Sequence, residues 1–333
     1  MARIRFQVHG EPPEGGLIDE LAAVHPRIGI AGLLRSRGRR ARPGRVPGAA
    51  AIEGFRWGLL DGCSQRWWPQ GIELLDGHRE GRDDVLLVSW FAQQRRGTTQ
   101  GARITVVDRR DRRRPRYHHV LLVEPWRDGS VVRMRPVNIH AGGLALVGNL
   151  LYVAATFDGL RSFELGDILR VRGSGPFGYR HVLPQSGRER LVGGEGDGWM
   201  RFSFVSRERD SSGSSGYLVV GEFGLEAHSR RLGRVPIGDL AERVEVIDVH
   251  EPGIPRMQGA TVVDGTWFVS SSDGLKPSDL WVGSGGAWVR HPGVLPPGSE
   301  DLSASLDGRR LWSLSEYPRQ RWVFVMDTDR WLT

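Results

Sequence analysis

An all-β fold built from repeated hairpins is predicted by the sequence, on three observations. First, residues 142–156 (GGLALVGNLLYVAAT) match residues 258–272 (QGATVVDGTWFVSSS) position for position without a gap. Second, each copy reads as a strand, a turn containing glycine and a second strand. Third, looser copies of the pattern begin near residues 70, 201 and 300, which makes five copies. Repeats about 40 to 70 residues apart are typical of the blades of a β-propeller.

Further apolar runs complete the repeats. A third run follows every hairpin, at residues 103–108, 160–165, 232–237, 279–282 and 321–327. A fourth run is clearest at 117–124 (YHHVLLVE) and at 179–183 (YRHVL). We therefore predict a five-bladed β-propeller with mostly four-stranded antiparallel blades. Its inner strands are expected to begin near residues 70, 142, 201, 258 and 300.

The chain divides near residue 55. Residues 55–333 hold the predicted propeller, and residues 1–54 form an N-terminal extension that is expected to be partly disordered or packed on it. The run FRWGLL at 55–60 is predicted to be the outer strand of the last blade, because propellers commonly close their ring with strands from both ends of the chain. The basic run at 34–45 (LRSRGRRARPGR) is expected to be a solvated arm, with a phosphate-binding arm as the alternative.

Charge and cysteine content limit the class of protein. The net charge is +7, but only one of the 46 basic residues, Lys276, is a lysine. This indicates a coding preference for arginine more than a nucleic-acid surface. The single cysteine, Cys63, excludes an internal disulfide framework. No Walker loop, nucleophile elbow or His/Cys metal spacing is found, so we expect neither a cofactor nor a metal.

The hydropathy of the chain indicates where the protein is located. No apolar run approaches the roughly 18 residues of a membrane span. The opening MARIRFQVHGEPPEGG lacks the continuous apolar segment of a signal peptide. We therefore expect a soluble cytoplasmic protein with a small-molecule substrate and no nucleic-acid or membrane partner. It is expected to be a monomer or a weak homodimer.

A ring of polar residues gives the strongest functional indication. In an antiparallel hairpin, the start of the first strand and the end of the second strand lie at the same end. With the first strand innermost, these positions from all blades surround one mouth of a central channel, where ligands usually bind. The starts are Gln70, Gly142 preceded by His140, Arg201, Gln258, and Glu300 with Asp301, and the ends include Trp90, Thr156, Glu222 and Glu316.

Three carboxylates of this ring are the predicted catalytic residues. Glu222, Glu300 and Glu316 would push one another's pKa values apart in a partly dry funnel, giving one proton donor and one base. His140 is the alternative general base. Two structural alternatives stay open, namely an ion pair between Glu222 and Arg201 and a turn or core position for His140.

Other members of the ring are predicted to bind substrate. Glutamine side chains both donate and accept hydrogen bonds, and tryptophan offers a flat apolar surface. Trp67 and Trp68 are adjacent in a strand and therefore point to opposite faces, so one of them can face the mouth. The predicted substrate-binding residues are Gln70, Gln258, Arg201, Trp90, Trp68, Asp301 and Thr156.

The chain carries the motifs WWPQGI (67–72), YHHVLLVEP (117–125), IHAGGLALVGNLLYVAAT (139–156), FSFVSRER (202–209), VVGEF (219–223), QGA (258–260), SEDLS and SEYP. In combination they resemble the motifs of a group of actinobacterial β-propeller proteins that are commonly labelled only as secreted or hypothetical. The resemblance spans about residue 55 to the end of the chain. It implies a propeller and an actinobacterial source, and no catalytic residues come with it.

Three functions fit a polar mouth without a cofactor. The first is an enzyme that uses acid/base chemistry on a small metabolite, by cyclisation, isomerisation or elimination in a biosynthetic pathway. The second is a glycoside hydrolase, by analogy of fold. The third is a lectin-like carbohydrate-binding propeller. A lectin built from radial repeats is expected to repeat its binding residues in every blade, and this ring is heterogeneous. The prediction therefore favours the first.

Overall fold

The computed structural model is all-β, with a few short helices. It describes residues 6–11, 16–75, 84–94, 97–173, 175–192, 199–210, 216–225, 227–238, 243–284 and 286–332. None of the helices in these ranges is long and apolar enough to cross a membrane.

The N-terminal residues form short elements that pack against the rest of the chain. They are β1 (Phe6–Glu11), α1 (Leu17–Val24), α2 (Gly29–Arg35), β2 (Arg39–Arg40), β3 (Arg42–Pro43), β4 (Ala51–Arg56) and α3 (Leu59–Gly62). The basic run 34–45, expected to be a solvated arm, thus carries two short strands, and β2 pairs with a later strand at Tyr117.

Most of the remaining strands, together with β4, form five antiparallel runs of four strands, which we call units 1 to 5. Unit 1 consists of β5 (Trp67–Leu74), β6 (Val85–Ala92), β7 (Ala102–Asp108) and β8 (Arg116–Asp128). Unit 2 consists of β10 (Leu144–Val147), β11 (Leu150–Ala154), β12 (Leu160–Glu164) and β15 (Gly187–Val192).

Units 3 to 5 follow the same order. Unit 3 consists of β16 (Phe204–Arg207), β17 (Tyr217–Gly221), β18 (Leu232–Pro236) and β19 (Arg243–His250). Unit 4 consists of β20 (Met257–Val263), β21 (Thr266–Ser271), β22 (Ser278–Ser284) and β23 (Ala287–Leu295). Unit 5 consists of β24 (Ser299–Ala304), β25 (Arg310–Ser315), β26 (Trp322–Asp327) and β4.

Strand β4 completes unit 5, as the sequence predicts for the outer strand of the last repeat. It pairs with β26, with Phe55 opposite Val323. The observed strand covers residues 51–56 and not 55–60, because the chain turns into α3 at Leu59. Leu59 and Leu60 are 75% and 80% exposed, so these apolar side chains are not part of a buried strand face.

The fourth strand of unit 2 differs from the prediction. Residues 179–183 were expected to form it, but β14 (His181–Pro184) pairs with β8 of unit 1 in parallel and with β13 (Leu169–Arg170). Val182 and Leu183 are both fully buried, in two different hydrophobic clusters. A strand buried on both faces gives no alternation by which the sequence could assign it to one unit. The fourth strand of unit 2 is β15 instead.

Strand β1 joins units 2 and 3 into one continuous sheet. It pairs with β15 on one side and with β19 on the other. Phe6 and Val8 are fully buried there. A further strand, β9 (Val131–Pro136), pairs antiparallel with the last part of β8. Short 3-10 helices occupy Leu165–Asp167 and Pro176–Gly178.

The inner strands of the units approach one another in a ring. Strand β5 contacts β10, β10 contacts β16, and β16 contacts β20. The ring closes because β20 contacts β24 and β24 contacts β5. The spacing is so close that glycine is needed, since a Cβ on Gly142 would lie 1.8 Å from the Ser203 carbonyl oxygen. A Cβ on Gly259 would lie 2.5 Å from Asp301 Cα. This arrangement of radial antiparallel units is that of a propeller-type fold.

Candidate functional site

A cavity of about 710 Å³ lies where the inner strands begin and the second strands end. Every unit contributes to its wall, in the way that the hairpin geometry predicts. Seven of the eleven residues assigned to the site from the sequence line it. They are Trp68, Gln70, His140, Thr156, Gln258, Glu300 and Glu316.

Three of these residues stand at interruptions of the strand pairing. The register shifts between Pro69 and Ile72 in β5, between Met257 and Gly259 in β20, and between Ser299 and Leu302 in β24. Each shift is a β-bulge, a device that redirects side chains and is common next to active sites. The side chains placed at these irregularities are Gln70, Gln258 and Glu300.

Serine hydroxyls on the second strands hold the bulges. Ser89 Oγ accepts a hydrogen bond from the Gly71 amide at 2.7 Å and donates one to the Ala141 carbonyl oxygen at 2.6 Å. Ser270 Oγ donates to the Glu300 carbonyl oxygen at 2.6 Å. These hydroxyls therefore pair one backbone group at the bulge in β5 and one at the bulge in β24.

Glu300 and Glu316 form a pair of carboxyl groups with raised pKa values. Burial raises the pKa of Glu316 to about 7, although Gln70 Nε2 donates a hydrogen bond to its Oε2 at 3.0 Å and Arg321 is nearby. Burial, followed by the charges of Glu316 and Asp301, raises the pKa of Glu300 well above its usual range. Both carboxyl groups therefore hold their protons to a higher pH than an exposed glutamate does.

His140 lines the same cavity from the loop before β10. Its ring is tilted by 31° against that of Phe91, with 4.2 Å between the centroids. The imidazole is exposed towards the cavity but surrounded by protein, and this desolvation lowers its pKa. The ring is neutral at pH 7 and is able to accept a proton.

Thr156 and Trp68 complete the predicted residues of the wall. Thr156 follows β11 with a φ of 46°, in the left-handed region, and exchanges backbone hydrogen bonds of 2.9 Å with Phe202. Trp68 lies opposite Phe91 across the β5–β6 pair, and its ring meets Tyr317 edge to face at 6.1 Å. These contacts order one side of the entrance.

Glu222 and Arg201 are not among the lining residues. Glu222 is fully buried and accepts hydrogen bonds from Arg231 Nη2 at 2.9 Å, from Arg231 Nε at 3.0 Å and from the Arg201 backbone amide at 2.9 Å. Burial by itself raises the pKa of a carboxyl, but the Arg231 hydrogen bond and the two backbone amides lower that of Glu222. The ion pair considered with Arg201 is formed mainly with Arg231, since Arg201 Nε is 3.9 Å away.

Asp301 also lies behind the wall, where it joins inner strands. Its Oδ2 accepts hydrogen bonds from the Ile72 amide at 3.1 Å and the Leu144 amide at 3.3 Å. Glu73 is equally buried and accepts from the Leu146 amide at 3.1 Å and from Ser303 Oγ at 2.7 Å. These two carboxyl groups connect units 1, 2 and 5 instead of facing a ligand.

Trp90 is fully buried beside the cavity without lining it. The guanidinium of Arg103 lies 4.7 Å from its ring centroid and that of Arg321 lies 5.6 Å away. Trp57 packs on it at 5.0 Å. The position of Trp90 indicates a structural part in supporting the wall.

The sequence prediction missed the apolar part of the wall. Phe91, Phe157 and Phe223 line the cavity, and each directly follows a residue that was chosen as a strand end. The sequence did indicate these residues, because a phenylalanine directly follows the end of the second strand in three of the repeats. Other lining residues that were not predicted are Gln93, Asn138, Ile139, Ala155, Asp158, Arg161, Ser203 and Phe204.

Asp158 and Arg161 are the charged lining residues that the sequence did not predict, and they form an ion pair with each other. Arg161 Nη2 donates to Asp158 Oδ2 at 2.5 Å, and its Nη1 donates to Gln185 Oε1 at 3.2 Å. In the described ranges no group of three His, Cys, Asp or Glu side chains could hold a metal ion. The wall thus combines one carboxyl pair with amide, imidazole and phenyl groups.

The raised pKa of Glu316 predicts a pH dependence of stability. The folded protein keeps a proton up to about pH 7 that an unfolded glutamate releases near 4.5. The folded state is therefore penalised progressively as the pH rises from 4.5 towards 7. We expect the free energy of unfolding, measured with urea from pH 5 to 8, to fall less steeply in Glu316→Gln than in the wild type. The surface change Glu251→Gln is the control, and equal slopes in all three proteins would contradict the assignment.

No protein-family model matches the chain, and no curated protein matches it. Solved structures with a similar course of the chain include the glutaminyl cyclase of Myxococcus xanthus, with a TM-score of 0.37, 14% identity, and coverage of 88% of this chain and 99% of that chain. A gluconolactonase of Xanthomonas campestris has a TM-score of 0.41, 11% identity, and coverage of 88% and 99%. The sialidase of Trypanosoma rangeli has a TM-score of 0.39, 11% identity, and coverage of 88% and 58%. At these TM-scores and identities, the similarities do not define an activity.

Proposed function

We propose that the cavity is the active site of a cofactor-independent enzyme that transfers protons on a small molecule. The observation that carries this proposal is the pair Glu300 and Glu316, which share one cavity and have pKa values raised to different extents. Two carboxyl groups that titrate apart can serve as acid and base at the same pH. We also infer that the five units are the blades of a five-bladed propeller.

The two carboxyl groups take different parts in this proposal. Glu316 ionises first and acts as the general base, while Glu300 stays protonated and acts as the general acid. Gln70, which holds Glu316 Oε2, fixes the direction of the base. His140 is the alternative base because its neutral imidazole faces the same cavity.

Isomerisation, cyclisation or elimination fits this arrangement. Glu316 removes a proton from the substrate, and Glu300 donates one to another atom or to the leaving group. A proton then has to pass from Glu316 to Glu300, directly or through water, to restore the starting state. The phenyl groups of Phe157 and Phe223 supply an apolar surface for the substrate. A small molecule with one acidic C–H or O–H bond and an apolar part is the proposed substrate class.

Glycoside hydrolysis is the second candidate, since it also uses two carboxyl groups. A retaining or inverting glycosidase needs one of them ionised as nucleophile or base and the other protonated. The pair in this cavity meets that condition at neutral pH. A lectin-like function has less support, because the aligned bulges carry Gln70, Gln258 and Glu300 and no repeated residue.

A substrate panel tests the proposal. The protein is incubated in D2O with small hydroxy, keto and unsaturated compounds, and mass spectrometry detects deuterium uptake or loss of a leaving group. Aryl glycosides form a second arm. We expect exchange in the first arm and none with the double variant Glu300→Gln/Glu316→Gln. Glycoside cleavage alone would transfer the assignment to hydrolysis, and sugar binding that is equal in both proteins without turnover would support the lectin.

A further inference from the structure

A second cavity lies on the outer side of unit 1, and we call it the outer cleft. It has a volume of about 870 Å³ and lies against β8, between residues 36–39 and the segment 170–181. It shares no lining residue with the candidate active site.

Arginine dominates the charge of the outer cleft. Five arginines line it, namely Arg37, Arg39, Arg103, Arg170 and Arg180. Asp61 is the acidic residue among the described lining residues, and it is surrounded by donors. Arg39 Nη1 and Tyr117 Oη donate to one of its oxygens at 2.9 and 2.8 Å. Arg103 Nη2 and His119 Nε2 lie 3.2 and 3.0 Å from the other.

Three of the five arginines are open to a ligand. Arg37, Arg170 and Arg180 are exposed, and within the described part of the chain no carboxylate pairs with them. Arg103 is different, since it is 3% exposed and its guanidinium lies 4.4 Å from the ring centroid of Trp67. The cleft therefore has a buried cation at its base and exposed cations at its rim.

Two histidines of the cleft have lowered pKa values, for which burial is the main cause. Burial, and then the charges of His118, Arg170 and Arg180, lower the pKa of His181 to about 4. Burial and the charge of Arg103 lower the pKa of His119 to about 4 as well. The smaller contribution of Arg103, Arg170 and Arg180 to these shifts has the sign expected of cations that would favour a bound anion.

An aromatic surface lies beside these cations. Phe177 lines the cleft with 54% of its surface exposed and has a φ of 50°, in the left-handed region that a bulky residue rarely adopts. Tyr179 lies nearby and is held through a 3.2 Å hydrogen bond with Arg103 Nη1. A bulky residue in this conformation is strained, and such strain concentrates at ligand sites.

We propose that the outer cleft binds a small anion joined to a planar apolar ring, with a phosphate monoester of an aromatic group as the best fit. Arg170 and Arg180 contact the phosphate oxygens, since guanidinium groups bind phosphate by paired hydrogen bonds. Phe177 and Tyr179 contact the ring. This site is independent of the chemistry proposed for the central cavity.

Isothermal titration calorimetry with phenyl phosphate, inorganic phosphate and phenol tests the proposal. We expect phenyl phosphate to bind more tightly than either fragment. The double variant Arg170→Ala/Arg180→Ala should weaken its affinity at least tenfold. Arg42→Ala/Arg45→Ala removes two exposed arginines outside the cleft and should leave the affinity within about twofold of the wild type.

A second measurement identifies the location of the bound anion. The pKa of His181, followed by NMR and assigned with His181→Gln, should rise when phenyl phosphate is added, because an anion favours the protonated imidazole. Equal affinities in all variants, or an unchanged His181 pKa with phenyl phosphate bound, would overturn the proposal. Equal binding of inorganic and phenyl phosphate would overturn the part assigned to Phe177 and Tyr179.

Discussion

Replacing Glu316 with glutamine should lower turnover by a factor on the order of 10² to 10⁴, which is the usual contribution of a general acid or base. The change keeps the shape of the side chain and removes only its ability to take up a proton. Gln70 can still form a hydrogen bond at this position. The measurement is kcat for the substrate found in the D2O panel, together with the thermal midpoint of unfolding.

The pH profile separates this effect from a loss of structure. In the wild type, activity should rise with pH around the Glu316 pKa of about 7, because the base has to be ionised. This ionisation should disappear from the residual activity of Glu316→Gln. His140→Gln is the matched variant at the alternative base. A full loss there with little effect in Glu316→Gln would assign the base to His140.

Replacing Glu222 with glutamine should destabilise the fold by about 3–5 kcal/mol, the usual cost of removing one partner from a buried ion pair. Glu222 is fully buried, and Arg231 is only 6% exposed to solvent. The substitution leaves the Arg231 guanidinium buried without its carboxylate. The measurement is the free energy of unfolding from urea denaturation at pH 7.

A paired substitution provides the control for Glu222. Glu222→Leu/Arg231→Met removes both charges, and replacing a whole buried ion pair by apolar residues is often close to neutral. We expect it to recover at least half of the stability lost in Glu222→Gln. If Glu222→Gln instead unfolds like the wild type but loses turnover, Glu222 belongs to the chemistry and the assignment to structure is wrong.

The hairpin repeat carried most of what the sequence could predict about the site. Because the start of one strand and the end of the next meet at one mouth, Gln70, Gln258 and Glu300 could be grouped without any structure. Strand alternation then separates neighbours, since adjacent side chains point to opposite faces. This is why Phe91 lines the cavity while Trp90 is buried behind it.

Other features depend on contacts that leave no local pattern. The alternation of apolar and polar residues cannot reveal that β14 joins the neighbouring unit, because both faces of that strand are buried. The partner of Glu222 was sought in Arg201, at the start of the same hairpin. Arg231 lies on the far side of the following turn and supplies the guanidinium instead. Ion-pair partners are set by tertiary geometry, which the spacing of residues does not specify.

Strands near the start of the chain pair with strands far later in it, and this affects folding while the chain is being synthesised. Strand β4 leaves the ribosome long before β26 exists, and β1 precedes both of its neighbours, with Val8 opposite Leu191 and Val244. Unpaired strand edges that wait for distant partners fold slowly and attract other chains. A nascent chain is therefore exposed to exchange of β1 with a second copy, and shielding of this segment by a chaperone should lower the yield of such exchanged assemblies.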